Sequence, residues 1–430
     1  MTTTIVLPDG PATSRLGQAL RFLVDRGGSM HRLRDRYGTA FTVQTLNLGP
    51  VVMLADPAEV KALFLATTDE VDNVDINLGS VLGAGSFFAI RGEEHRQQRK
   101  LLTPPFHGRR LRAYESLIEE EAEREMRTWP EDREFPVMPS MMRITLNAIL
   151  RAVFGAAGAE LDELRRMLPP MVRLGSILAV LPVPRRRYGP WGLFWRYRAR
   201  YDAIVDRLIA TARNDPRLAE RDDVLAMLVQ TRYDDGAPMT RDQIADQLLT
   251  LLTAGHETTA TTLAWAVERL RRHPDLLDRL VAGDDVLREA TIVEVQRARP
   301  VIEMTTRQVR ADAVRIGRWT MPRGTIVAAC IALLHDDPAL FEDPERFDPA
   351  RFVGARPDTY GWIPFGGGVR RCIGAAFASM EMNVVLRTML RDFTLVPTDA
   401  PGERRHNRGI AIAPARGGRA VVRRRAQESR

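Results

Sequence analysis

Apolar and polar residues alternate at the start of AFTVQTLNLGPVVMLADP (residues 40–57), a pattern that predicts two short strands around a turn at Gly49-Pro50. A helix should follow, because Asp56-Pro57-Ala58-Glu59 sets a capping side chain, a first-turn proline and an acidic third position in order. From about residue 93 to 275 the apolar positions recur with helical spacing and few strand signals intervene. The longest element starts after Thr240, whose hydroxyl can form a capping box with Gln243, and runs to about Arg272, where His273-Pro274 stops it. That is roughly 48 Å of helix at ~1.5 Å per residue, and its Leu, Ala and Thr content predicts burial along most of its length. Residues 309–329 revert to strands and turns before a last helix, AAFASMEMNVVLRTMLRDF, begins just after Cys372. With no internal repeat and no Ser/Gly-rich linker, residues 1–430 are expected to form a single, mainly helical domain with a small β-rich lobe.

Composition then narrows the class. Hydrophobic content of 45% and charged content of 27% are ordinary for a globular protein. Two cysteines, Cys330 and Cys372, exclude a disulfide framework and any multi-cysteine zinc or iron–sulfur site, and suit a reducing compartment. Prolines, Asp9 and Arg15 interrupt the N-terminal apolar residues early, so neither a secretory core nor a membrane anchor is expected and the chain reads as cytoplasmic. The formal charge is +7, and all but Lys61 and Lys100 of the 62 basic residues are arginine. They are scattered along helical stretches rather than gathered with aromatic neighbours, which speaks against nucleic acid as a partner. The densest run, GGRAVVRRRAQESR at the C-terminus, reads as a solvated tail.

The candidate chemistry centres on FGGGVRRCIG, Phe365 to Gly374. A thiolate at Cys372 would sit just before a helix N-terminus, where the dipole and unpaired N–H groups favour negative charge, with Arg370 and Arg371 adding to the field. A phosphate-cradling loop is poorly supported, since no GKS or GKT follows the glycines. A nucleophilic cysteine would want a histidine base, and none of the seven histidines lies near in sequence. FGGGVRRCIGAA, however, resembles the haem-binding loop of the cytochrome P-450 family at each fixed position: Phe365, Gly366, Gly368, Arg370, Cys372 and Gly374. The residue types suit that role, because glycines let backbone N–H groups approach a sulfur ligand and an aromatic ring shields it from water.

Three further stretches carry the same resemblance. AGHETT, midway along the long helix, is similar to the family's oxygen-activation motif. The resemblance implies that Ala254 and Gly255 let haem and oxygen approach, that Thr258 opens the helix's hydrogen bonding, and that Glu257 relays protons, while His256 is core. Glu-x-x-Arg spacing recurs by accident at Glu121/Arg124, Glu163/Arg166 and Glu268/Arg271, but Glu294/Arg297 alone precedes PERF and the cysteine loop in the family's order. A buried network of Glu294, Arg297 and Arg346 is therefore expected to hold the scaffold. Haem also brings two propionates that need cations, for which His95 and Arg99 in HRQQR, Arg307 and Arg370 match. Departures from the pattern are modest: Ala at 254, Glu rather than Asp at 257, and ARP after EVQR.

The resemblance covers essentially the whole chain and implies a triangular helical prism around haem b bound by an axial cysteine thiolate. It implies a monomeric monooxygenase that takes dioxygen, a hydrophobic small-molecule substrate, and electrons from a ferredoxin or flavodoxin with its reductase, docked near Cys372. A peroxide-driven haem-thiolate oxidase and a non-enzymatic haem-thiolate sensor or carrier are the alternatives, and both have less need of a Glu257–Thr258 relay. LGSVLGAGSFFAI, with Phe87 and Phe88, and the apolar 167–191 segment are candidate pocket walls, the latter a candidate lid. Cys330, in an apolar run without glycine, arginine or a helix start beside it, is expected to be inert core.

Overall fold

The computed structural model describes residues 4–425 except 47, 75–77, 156, 157, 180, 182 and 184–187. Strands Ala40–Thr45 and Gly49–Leu54 pair antiparallel, with Val43 opposite Val51, and Gly49 opens the second strand instead of sitting in the turn. Asp56 caps the following helix, Pro57–Leu65, by accepting from the N–H groups of Ala58 and Glu59. Chain-distant segments complete a five-stranded sheet: Ile326–Ala329 runs parallel to Gly49–Leu54, and Thr305–Val309 and Val71–Asp72 follow outward. Period-two alternation divides the side chains between two cores. Val52, Leu54, Val327 and Ala329 enter one cluster, while Val51, Met53, Ile326 and Ala328 enter the other. A sheet covered on both faces explains why these strands are continuously apolar.

The helical part is organised around Arg241–Leu270, an unbroken helix of 30 residues, or about 45 Å. Its start carries the full capping box, with Thr240 accepting from Gln243 N–H and the Gln243 side chain accepting from Thr240 N–H. Helices Met138–Phe154 and Ala375–Asp392 pack along it. Polar ties reach it from several sides: the Tyr201 hydroxyl donates to Ala245 carbonyl at 2.9 Å, Thr145 to His256 carbonyl at 2.9 Å, and Trp265 indole N–H to Ile412 carbonyl at 2.9 Å. Ile412 belongs to a C-terminal hairpin, Arg405–Arg408 paired with Ala411–Pro414. Between residues 93 and 275 the described chain is almost entirely helical, apart from the two-residue strand Phe135–Pro136, which pairs with Arg419–Ala420. No helix among the described residues is long and apolar enough to cross a membrane.

Cys330 is core, 1% exposed, and burial pushes its thiol pKa up to about 12. The expectation of no helix start beside it fails, because Cys330 is the N-cap residue of the short helix Ile331–His335. Those five residues are too few to show a period in the sequence.

Candidate active site around Cys372

The loop from Phe365 to Gly374 is shaped by what presses on it. Gly366 and Gly368 hold φ of +64° and +63°, and a Cβ on Gly367 or Gly368 would lie 2.1 Å from the Phe64 ring or 2.3 Å from the Phe64 carbonyl oxygen. Helix Pro57–Leu65 thus requires these glycines, a reason distinct from clearing space around sulfur. Cys372 N–H donates to Phe365 carbonyl at 2.9 Å, and Phe365 stacks edge-on to Trp362. The Cys372 thiol is solvent-accessible, yet burial pushes its pKa up, against the lowering influence of Gly374 N–H and the charges of Arg99 and Arg371.

His95, Arg307 and Arg370, from three separate segments, form one electrostatic cluster around Asp72, and half-buried Arg99 joins it through Arg370 and His95 on the Cys372 side. His95 is 2% exposed, its Nδ1 lacks a hydrogen-bond partner among the described residues, and burial with the charges of Arg370 and Arg99 pushes its pKa down to about 3. Burial pushes Arg307 down to about 10. Arg307 donates to Thr306 and Gly367 carbonyls, tying its strand to the cysteine loop. Arg370 is the most committed of the four: it gives two N–H groups to Asp72 Oδ1 at 2.9 and 2.5 Å and others to the Phe87 and Ile90 carbonyls, both at 2.9 Å. Burial would raise the Asp72 pKa, but Gly92 N–H and Arg370 outweigh it and leave it lowered. With His95 neutral, Arg99, Arg307 and Arg370 still outnumber the Asp72 carboxylate and leave a cation excess. Sequence reading missed Asp72, since a two-residue strand carries no local pattern that would single it out.

On the long helix, Ala254 is exposed and Gly255 and Thr258 are half-buried, although His256, Glu257 and Thr259 beside them are buried. One narrow face of a core helix is therefore open to solvent. Thr258 does not open the helix as expected: its hydroxyl donates back to Ala254 carbonyl at 2.8 Å and the helical ladder continues. With its proton committed, the hydroxyl presents its lone pairs. Glu257 Oε1 accepts from Arg408 Nε of the C-terminal hairpin at 3.0 Å, a partner 151 residues away that no local spacing announces. His256 lies in the core, with Nδ1 2.6 Å from Leu252 carbonyl. Glu381, on helix Ala375–Asp392, is fully buried and neither carboxyl oxygen makes a hydrogen bond of good geometry; burial pushes its pKa well above the carboxylate range, with the nearby Thr259 hydroxyl as the one lowering influence.

The family model for cytochrome P450 matches residues 8–418. The chain is a cytochrome P450. It is 52% identical over 426 residues to a Mycobacterium tuberculosis (strain ATCC 25618 / H37Rv) protein provisionally named cytochrome P450 138, covering 97% of each chain. It is 39% identical over 438 residues to a protein of the same strain provisionally named cytochrome P450 135B1, covering 98% of this chain and 92% of that one. Among solved structures, its fold is similar to the retinoic-acid-bound cyanobacterial CYP120A1, with a TM-score of 0.86 at 24% identity over 98% of this chain and all of the other. A cytochrome P450DA haem domain matches with a TM-score of 0.85 at 22% identity, over the full length of both chains.

Cytochromes P450 are haem-thiolate monooxygenases, with a cysteine thiolate on the iron. The residues of this P450 fit that group: an enclosed, accessible thiol, an orphaned buried imidazole nitrogen, and a cation excess suited to two carboxylates. Neither Arg99 nor Arg307 has a carboxylate ion-pair partner among the described residues.

Glu294 and Arg297 are both fully buried and joined by two hydrogen bonds of 2.7 and 2.8 Å. Arg346 enters this network differently from expectation: its guanidinium is 68% exposed and pairs with Asp348, while its carbonyl accepts from Arg297 at 3.3 Å. Arg351 takes the third place, 3.5 Å from Glu294. Sequence spacing could not separate Arg346 from Arg351, because the intervening turn decides which guanidinium points inward.

The candidate pocket wall at residues 78–90 is pinned at Gly85. Gly85 N–H donates to Asp246 Oδ2 at 2.9 Å and its carbonyl accepts from Gln247 at 2.6 Å, so two consecutive residues of the long helix hold the peptide units on both sides of Gly85. Asp246 also binds Arg198 of helix Gly189–Arg213. Phe87 stacks edge-on to His95 at 5.6 Å, and Phe88 is 39% exposed. Of the 167–191 segment, residues to Leu178 form the end of helix Ala159–Leu178, with Leu168, Met171 and Leu178 buried and Ile177 exposed. Residues 180, 182 and 184–187 lie outside the described chain.

Proposed function

We propose that this P450 inserts one oxygen atom of dioxygen into a hydrophobic organic substrate and reduces the other to water, with two electrons from a separate ferredoxin or flavodoxin and its reductase. Cys372 would hold the haem iron through its sulfur, and a haem held there would supply oxygen activation and substrate oxidation. Phe365, Gly366 and Gly374 shape the ligand's surroundings, while His95, Arg99, Arg307 and Arg370 receive the propionates, Arg370 with a charge already shared with Asp72. Ala254 leaves room on the long helix. Thr258 accepts and holds a proton-bearing water through the lone pairs left free by its bond to Ala254, and Glu257 moves protons to it once its carboxylate leaves Arg408.

The observation that carries this reading is the exposed Ala254 and half-buried Thr258 on an otherwise buried helix, next to a carboxylate held by a single ion pair. The exposed Arg371 supports docking of an acidic electron donor on this side, which predicts electron transfer that slows as ionic strength rises. The decisive comparison is turnover with reconstituted ferredoxin and reductase against turnover with peroxide alone. Thr258→Ala should lose about 100-fold of the reductase-supported rate and keep peroxide turnover. Wild type that works with peroxide alone and never with reductase overturns the monooxygenase reading.

A further inference from the structure

Helix Arg15–Val24, which precedes the sheet, is amphipathic with its apolar row turned outward. Leu16, Leu20 and Val24, spaced i, i+4, i+8, are 66%, 62% and 87% exposed. At ~100° per residue they share an arc of about 80°, with exposed Arg21 about 60° beyond one edge and exposed Arg15 about 100° beyond the other. The opposite face is anchored. Gln18, 3% exposed, accepts from Gln44 N–H at 2.8 Å and donates to the Pro11 and Thr13 carbonyls, and Phe22 packs against the core beneath the sheet. The helix cannot roll its leucines inward without breaking these bonds. Leu46 and Leu48, just past Gln44 in the turn, are also exposed, at 54% and 36%.

Charge identifies the occupant. The helix holds no acidic residue, and residues 15–37 carry six arginines against Asp25 and Asp35. Arg32 pairs with Asp25, Arg26 with Glu303 and Arg34 with Asp35, whereas Arg15, Arg21 and Arg36 have no carboxylate partner among the described residues. A second copy of the chain placed face to face here would set one net-basic helix against another. We propose that this helix docks the protein on the surface of an anionic lipid bilayer, with Leu16, Leu20 and Val24 dipping below the headgroups, Arg21 meeting the phosphates from the flank and Arg15 adding longer-range attraction. A helix of about 15 Å with three inserted side chains makes such binding reversible and salt-sensitive.

The test is co-sedimentation of the full-length, haem-loaded protein with vesicles of phosphatidylcholine alone and of phosphatidylcholine mixed with phosphatidylglycerol. Binding is expected to the mixed vesicles only, weakening as salt rises. The Leu16→Ser/Leu20→Ser/Val24→Ser variant should bind at least roughly tenfold more weakly, and Arg15→Gln/Arg21→Gln should lose the preference for anionic lipid. All five side chains are exposed, so an unchanged melting temperature certifies the fold of each variant. No vesicle binding by wild type, or undiminished binding by the serine variant, overturns the proposal. So does a dimer in solution that the serine substitutions dissolve, which assigns the face to a second copy.

Discussion

Arg297→Met tests whether the buried ion pair is a structural brace. The substitution leaves the Glu294 carboxylate fully buried with Asp348 N–H at 2.9 Å and Arg351 at 3.5 Å, and removes the guanidinium donor from the His335 carbonyl, while the Arg346 carbonyl keeps its bond from Arg351. Removing one partner of a buried pair costs about 3–5 kcal/mol; because two donors remain on Glu294, the lower end, about 3 kcal/mol, applies. A chain of 430 residues unfolds with an entropy of about 0.9 kcal/mol/K, so the melting temperature should fall by about 3 °C, a large share of a stability that is usually about 5–15 kcal/mol. Differential scanning calorimetry of the holoprotein at fixed scan rate reads this directly. The double variant Glu294→Leu/Arg297→Met removes the orphaned charge and should melt above Arg297→Met, since apolar replacement of a buried pair is often neutral. An Arg297→Met variant within 1 °C of wild type, or a double variant that melts below the single, refutes the argument.

Replacing Glu381 by Gln isolates a buried acid. Its raised pKa means wild-type stability is full below the ordinary value of 4.5 and declines as pH rises toward the folded-state pKa, so Glu381→Gln should gain on wild type between acid and alkaline pH in melting experiments. Cys372→Ser should abolish the thiolate signature of the reduced carbon monoxide complex and Cys330→Ser should leave it unchanged; the reverse would reassign the ligand. Gly83 holds φ of +103° and a Cβ there would lie 2.0 Å from the Asp246 carboxyl, so Gly83→Ala should cost about 1–3 kcal/mol and loosen the 78–90 wall, seen as faster amide exchange around Gly85.

Local order was legible in the amino-acid sequence wherever a short stretch carries its own physical instruction. Thr240 with Gln243 and Asp56 with Pro57 cap helices within one turn, so their starts followed from the residues alone. Glu294 and Arg297 share a helical face whatever the rest of the chain does. The cysteine loop announced itself because its residue types are scarce and closely spaced. Gly367 and Gly368, though, answer to Phe64, some 300 residues earlier, which no reading of the loop reveals.

What the tertiary structure decided are the partners brought from far along the chain. Asp72 takes Arg370, Arg408 takes Glu257, Arg351 displaces Arg346 at Glu294, and Asp246 with Gln247 clamps Gly85. Each is a buried or half-buried charge or amide whose desolvation must be met by some donor or acceptor. The sequence determines that such a group needs a partner. Which residue answers depends on how sheet, helices and hairpin meet in three dimensions, because hydrogen bonds and ion pairs select by distance and direction, not by separation along the chain.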